Sequence, residues 1–88
     1  MRIKFKNMSY LHFNLVGDTG KTKKFHVHNN QNGVQIGAIS FYPMWRKYVF
    51  KPLPDTFYDA GCIKEIATFL EDQQTEWRAG QKVKNILI

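Results

Sequence analysis

The first half of the chain alternates in steps of two. Ile3, Phe5, Leu11, Phe13 and Leu15 share odd parity, while Arg2, Lys4, Lys6, Tyr10, His12 and Asn14 occupy even positions. This is the pattern of a half-buried strand, interrupted near residues 7–9. GDTG follows, with Asp18-Thr19 suited to a tight turn and Gly20 able to take the left-handed position closing a three-residue hairpin loop. That loop pairs Phe13 with Phe25, Leu11 with Val27, His12 with His26 and Tyr10 with His28, so apolar faces apolar. NNQNG (29–33) makes a second turn. The strand VQIGAISFY then changes parity at Gly37, as a bulge would make it do. Pro43-Met44 turns the chain into WRKYVFK, with Tyr42 opposite Trp45, Ile39 opposite Tyr48 and Phe50 against Gly37.

The period lengthens after KPLPD, where two prolines remove ladder donors. Over 59–79 the residues Cys62, Ile63, Ile66, Ala67, Phe69, Leu70 and Trp77 recur at helical spacing, with Asp55 or Asp59 as cap and Gly80 as stop. The tail 81–88 fits a fifth strand, a dimer contact or a frayed end equally well. The expected fold is α+β: a four-stranded antiparallel sheet with one C-terminal helix packed on one face, ββββα. Residues 1–52 form the sheet within a single domain spanning 1–88.

These registers also assign the face left to solvent. It carries Lys4, Lys6, Tyr10, His12, Lys24, His26, His28, Tyr42, Trp45, Lys47 and Lys51, while Arg46 falls on the inner side near a strand end, where its stem reaches the rim. Charge sharpens the picture. The formal net charge is +6, but residues 1–51 hold nine Lys/Arg against one acid, Asp18, a net of +8, whereas residues 52–88 are net −2. An anionic partner suits that asymmetry. Aromatic rings interleaved with cations on a solvated sheet are what single-stranded nucleic acid binding requires, because rings stack on bases and cations track phosphates. The plainer account is an exposed strand whose lysines guard it against aggregation. The expected nucleic-acid-binding set is Lys4, Lys6, Tyr10, Lys24, His26, Tyr42, Trp45, Arg46, Lys47 and Lys51.

Other chemistry has less to stand on. His12, His26 and His28 share neighbouring strands, as three zinc ligands would. They lie among lysines with no acid to orient the rings, which favours surface histidines that gain charge in mild acid. No nucleophile, base and orienting acid converge, and Cys62 falls on the buried stripe of the helix as a small apolar filler. GDTGKTKK lacks the GxxxxGK[ST] spacing of a phosphate loop. The sequence therefore points to a non-enzyme with no cofactor and no metal. At 88 residues, 43% hydrophobic and 15% aromatic, it has composition for one core. With a single cysteine, no run near the roughly 18 apolar residues of a membrane span, and no apolar core in MRIKFKNMSY, a cytoplasmic location is expected.

Residues 36–70, IGAISFYPMWRKYVFKPLPDTFYDAGCIKEIATFL, carry a glycine and alternating strand, then W-R-x-Y-x-F-x-P, then a cysteine and an I-x-x-F helix. The positions are Gly37, Trp45, Arg46, Tyr48, Phe50, Pro52, Phe57, Cys62, Ile66 and Phe69. This stretch, 35 of 88 residues, resembles a group of short proteins of phages and prophages, particularly those of gut bacteria. The resemblance implies a host-cell cytoplasmic setting and brings no activity with it. The N-terminal hairpin with its three histidines lies outside it. The topology alone is also similar to that of coactivator/whirly-type single-stranded DNA-binding proteins, an analogy of fold that implies a homodimer. Three functions follow as expectations. The first is a non-enzymatic binder of single-stranded DNA or RNA. The second is a counter-defence or host-takeover protein that binds an acidic host protein or sequesters a nucleotide signal. The third is a virion component assembling through Ile86-Leu87-Ile88.

Overall fold

The computed structural model describes residues 10–87, with side chains through residue 80. Lys4 and Lys6, the start of the first strand and the side chains of the tail lie outside the described residues. Four antiparallel strands, β1 (Leu11–Asp18), β2 (Lys23–Asn29), β3 (Gln35–Tyr42) and β4 (Lys47–Pro52), form one open sheet in the order β1-β2-β3-β4. One helix, α1 (Ala60–Leu87), follows and packs on the sheet.

Parity assigns the faces correctly, but the pairings slide by two residues. Leu11 faces Asn29, His12 faces His28, Phe13 faces Val27 and Leu15 faces Phe25. The loop is longer than the three residues expected. Asp18 pairs with Lys23, and residues 19–22 close on themselves, with the Thr19 N–H donating to the Thr22 carbonyl (2.9 Å) and the Gly20 N–H to Asp18 Oδ1 (2.8 Å). A four-residue loop alone would set Phe13 against His28 and Leu15 against His26. A bulge between Leu15 and Gly17 absorbs the extra residue and restores the phase. Gly20 takes φ 90°, the left-handed position expected of it.

The second hairpin turns through residues 30–33, with the Gly33 N–H donating to the Asn29 carbonyl (2.7 Å) and Gly33 at φ 73°. The parity change in β3 is a bulge: Val27 pairs with Gly37 but His28 with Gln35, leaving Ile36 extra. The third hairpin again differs by two from the expected register. Tyr42 pairs with Lys47, Phe41 with Tyr48, Ile39 with Phe50 and Gly37 with Pro52, so the turn takes in both Trp45 and Arg46. Arg46 adopts φ 55°, closing the turn in a region non-glycine residues seldom enter. Phe50 still lies against Gly37, diagonally: a Cβ there would come within 2.6 Å of the Phe50 ring.

The helix starts where the sequence places a cap. Asp59 Oδ1 accepts the Cys62 backbone N–H (3.0 Å), one of the donors a helix N-terminus leaves unpaired. The far end is different, because α1 runs through Gly80 to Leu87. A mid-helix glycine costs only about 1 kcal/mol, and the glutamine, lysines and leucine that follow it favour helix. The buried stripe is Cys62, Ile66, Phe69, Leu70, Gln73 and Trp77; Ile63, expected on it, is 56% exposed.

Val27 and Ile39, both fully buried on central strands, anchor the core with Leu11, Phe25, Tyr48 and Ile66. Full burial of each such aliphatic contributes about 1.5–3 kcal/mol. Phe69 joins helix to sheet, stacked on Phe13 with centroids 4.1 Å apart and edge-on to Phe25 at 4.7 Å. Two helical side chains also close the open sheet edges. Glu65 accepts the N–H groups of Tyr10 (2.7 Å) and Leu11 (3.1 Å) beside β1. Gln74 accepts the Tyr48 N–H (2.9 Å) and donates to the Arg46 carbonyl (3.0 Å) beside β4. Each acts as a one-residue strand, satisfying main-chain groups that would otherwise invite a second chain.

The cap has a pH signature. The Cys62 N–H holds the Asp59 carboxyl below its ordinary value of 3.8. Its stabilisation is therefore complete above that value and is lost as pH falls through the lower folded-state value. Asp59→Asn keeps an acceptor but no charge. Melting followed by circular dichroism from neutral pH to about pH 2 should show wild type above the variant at neutral pH and the gap closing on acidification. Curves that stay parallel would remove the charge from this account.

Candidate nucleic-acid interface

The face opposite α1 is built by residues whose ladder positions fix their side. One row crosses all four strands: Asn14, His26, Ala38 and Lys51. A second joins His12, His28 and Gln35, a third sets Ser40 beside Val49, and a fourth pairs Tyr42 with Lys47. Small residues therefore occupy the middle, Ala38 and Ser40 with Val49, and longer ones stand around them. Lys24, Lys47 and Lys51 are exposed, and Trp45 projects from the β3–β4 turn at 67% exposure. Its indole meets the Tyr42 ring edge-on, with centroids 5.0 Å apart. The pair forms an aromatic step at one end of a shallow, lysine-rimmed floor.

Charge is segregated across the sheet. Among the described residues no ladder position of this face carries a carboxylate. Asp18, paired with Lys23, lines one pocket with the helix and another with Lys24 and Ser40. Asp55 lies in the connection between β4 and α1, and Asp59, Glu65, Glu71, Asp72 and Glu76 belong to α1 or its cap. Lys23, one residue from Lys24, is turned to the helix side and pairs with Glu76 (3.3 Å). Strand alternation alone decides that Lys24 is free for a ligand and Lys23 is not.

Two expected members leave the interface. Tyr10 precedes β1, so the strand period does not govern its side chain. Its ring packs on Gly61 of α1, where a Cβ would come within 2.6 Å, and Glu65 holds its N–H. Arg46 lies in the turn with its guanidinium 5.2 Å from the centre of the Trp77 ring, on the helix side, in a cation–π contact. The described interface is thus Lys24, His26, Tyr42, Trp45, Lys47 and Lys51, with His12 and His28 beside His26.

The histidines do not close on a common point. His12 faces His28 rather than His26, with ring centroids 6.5 Å apart, and His26 and His28 are 6.4 Å apart. The Nδ1 of His28 lies 3.2 Å from the Gly33 carbonyl. Among the described residues no group of three His, Cys, Asp or Glu has metal-holding geometry. Cys62 is half-buried against the core, and burial, followed by its hydrogen bond to the Asp59 carboxylate, pushes its thiol up, away from the thiolate. No described helix is long and apolar enough to cross a membrane.

Compared with known proteins, the chain matches no family model, no curated protein and no solved structure. What can be said of it in kind rests on its own residues: a small α+β domain of four antiparallel strands and one helix, with a cationic, aromatic sheet face turned away from that helix.

Proposed function

We propose that this protein is a non-enzymatic binder of single-stranded nucleic acid, using the outer face of its sheet. The observation that carries the reading is the Tyr42–Trp45 pair sharing a sheet face with Lys24, Lys47 and Lys51, a face with no carboxylate at its described ladder positions. The small centre of the floor lets bases approach the sheet, the indole offers a surface on which a base stacks, and the lysines follow the phosphates on either side. An acidic protein surface, such as a host-takeover protein would seek, is the competing partner for the same lysines. The exposed rings favour bases, since a carboxylate-rich surface has no use for them.

Fluorescence polarisation of labelled single-stranded DNA and RNA, at low and physiological salt, tests this. Binding should saturate, and its logarithm should fall linearly with the logarithm of salt, by about 0.7 per phosphate neutralised. Duplex DNA should bind more weakly, because its stacked bases offer no faces to Trp45. No binding at low salt, or binding indifferent to salt, would sink the reading and send the search toward a protein partner.

A further inference from the structure

On the other side of the sheet, between the β1–β2 loop and α1, lies a pocket of about 270 Å³ that the outer face does not share. Its floor holds Gln73, only 8% exposed. Gln73 sits on the buried stripe of the helix between Leu70 and Trp77, where the spacing calls for an apolar residue. Among the described residues its carboxamide has no hydrogen-bond partner, unlike that of its neighbour Gln74, which uses one end on Tyr48 of β4 and the other on Arg46 of the preceding turn. Buried amides are nearly always paired, so this one is completed by a group from outside the chain, water or ligand. The Tyr48 hydroxyl lines the same pocket. It accepts the Lys23 N–H (2.9 Å), and its own proton has no acceptor among the described residues.

We propose that this pocket binds an uncharged planar heterocycle with a donor and an acceptor on one edge, the chemistry of a nucleobase. Three features select that class. The Gln73 carboxamide presents an N–H donor and a carbonyl acceptor side by side, which a lactam or aminopyrimidine edge answers with two hydrogen bonds. Trp77 and Tyr48 add aromatic carbon to the lining. At the mouth, Lys21 and Lys23 are matched by Asp18 and Glu76, with Lys23 already held by Glu76, so no net charge recruits a phosphate or an ammonium group. The volume lies below the roughly 300–1,000 Å³ of sites for drug-sized ligands and suits a single base.

The test uses the full chain, isotopically labelled, titrated with adenosine, guanosine, cytidine and uridine while amide spectra are recorded. The expected result is saturable movement of the Gln73 side-chain amide and the Trp77 indole N–H with at least one nucleoside. Gln73→Leu keeps the volume and removes the edge, and should weaken that binding at least tenfold without lowering the melting temperature. No movement with any nucleoside, movement confined to the outer face around His26 and Ala38, or equal binding by the leucine variant would each overturn the proposal. A Lys24→Ala/Lys47→Ala/Lys51→Ala variant should bind nucleosides as wild type does, so this pocket and the outer-face reading stand or fall separately.

Discussion

Replacing Gly37 by alanine should unfold much of this protein at temperatures where wild type is intact. A Cβ at that position would lie 2.6 Å and 2.7 Å from two atoms of the Phe50 ring and 2.7 Å from the Lys51 carbonyl oxygen. The ring is packed edge-on against Tyr58, and the carbonyl is strand backbone paired to β3, so neither yields cheaply. Overpacking of this kind costs about 3 kcal/mol, toward the upper end of the usual range because one obstacle is main chain. A domain of this size loses roughly 4–8 °C per kcal/mol, so the melting temperature should fall by roughly 10–25 °C. Phe50→Leu in the same chain should return only part of that loss, the remainder belonging to the carbonyl. Gly80→Ala is the control: nothing lies within 4 Å of its Cβ, and an alanine in the helix interior should raise stability by about 1 kcal/mol. A melting temperature unchanged by Gly37→Ala would mean that the bulge at Ile36 lets β3 step aside.

The fold was legible from periodicity because a strand's faces depend only on parity. A pairing error of two residues leaves every side chain on its own side. Both outer hairpins slide by two relative to the loops that turn residues suggest, yet Phe13, Phe25, Phe41 and Tyr48 still meet the helix. Loop length was harder to read, since the bulge at Val16 that makes a four-residue loop compatible with the pattern leaves no mark of composition, whereas the β3 bulge is signalled by Gly37. The helix end departs from its sequence signal for a related reason. Gly80 is a stop only where the chain has something better to do than continue, and α1 continues.

The candidate site was legible to the same extent. Lys24, His26, Tyr42, Lys47 and Lys51 lie on ladder-paired strands, so alternation placed them. Tyr10 and Arg46 lie outside the ladders, where a side chain follows local packing, and each turned toward α1, one to a glycine and the other to an indole. Residue type alone does not mark Gln73, because a glutamine in a helix is ordinary. Its signal was positional, a polar residue in the gap of an apolar stripe that runs from Cys62 to Trp77.

Separating stacking from charge on the outer face gives the most discriminating result for function. Trp45→Ala should weaken single-stranded binding by the loss of one stacked base, about 1–3 kcal/mol or roughly 5- to 150-fold, with the salt slope unchanged. The Lys24→Ala/Lys47→Ala/Lys51→Ala variant should do the reverse in kind: each lysine removed takes about 0.7 from the slope, so the triple change flattens it by about 2 and weakens binding most at low salt. All these side chains are exposed and outside the core, so melting temperatures should stay close to wild type. Arg46→Ala belongs on the other side of the comparison. With its guanidinium on Trp77, its loss should cost stability rather than slope. If Arg46→Ala flattens the slope as much as a face lysine does, the nucleic acid wraps over the β3–β4 turn toward the helix. If Trp45→Ala leaves affinity untouched while the lysine variant abolishes it, the face reads only charge, and an acidic protein surface becomes the better partner.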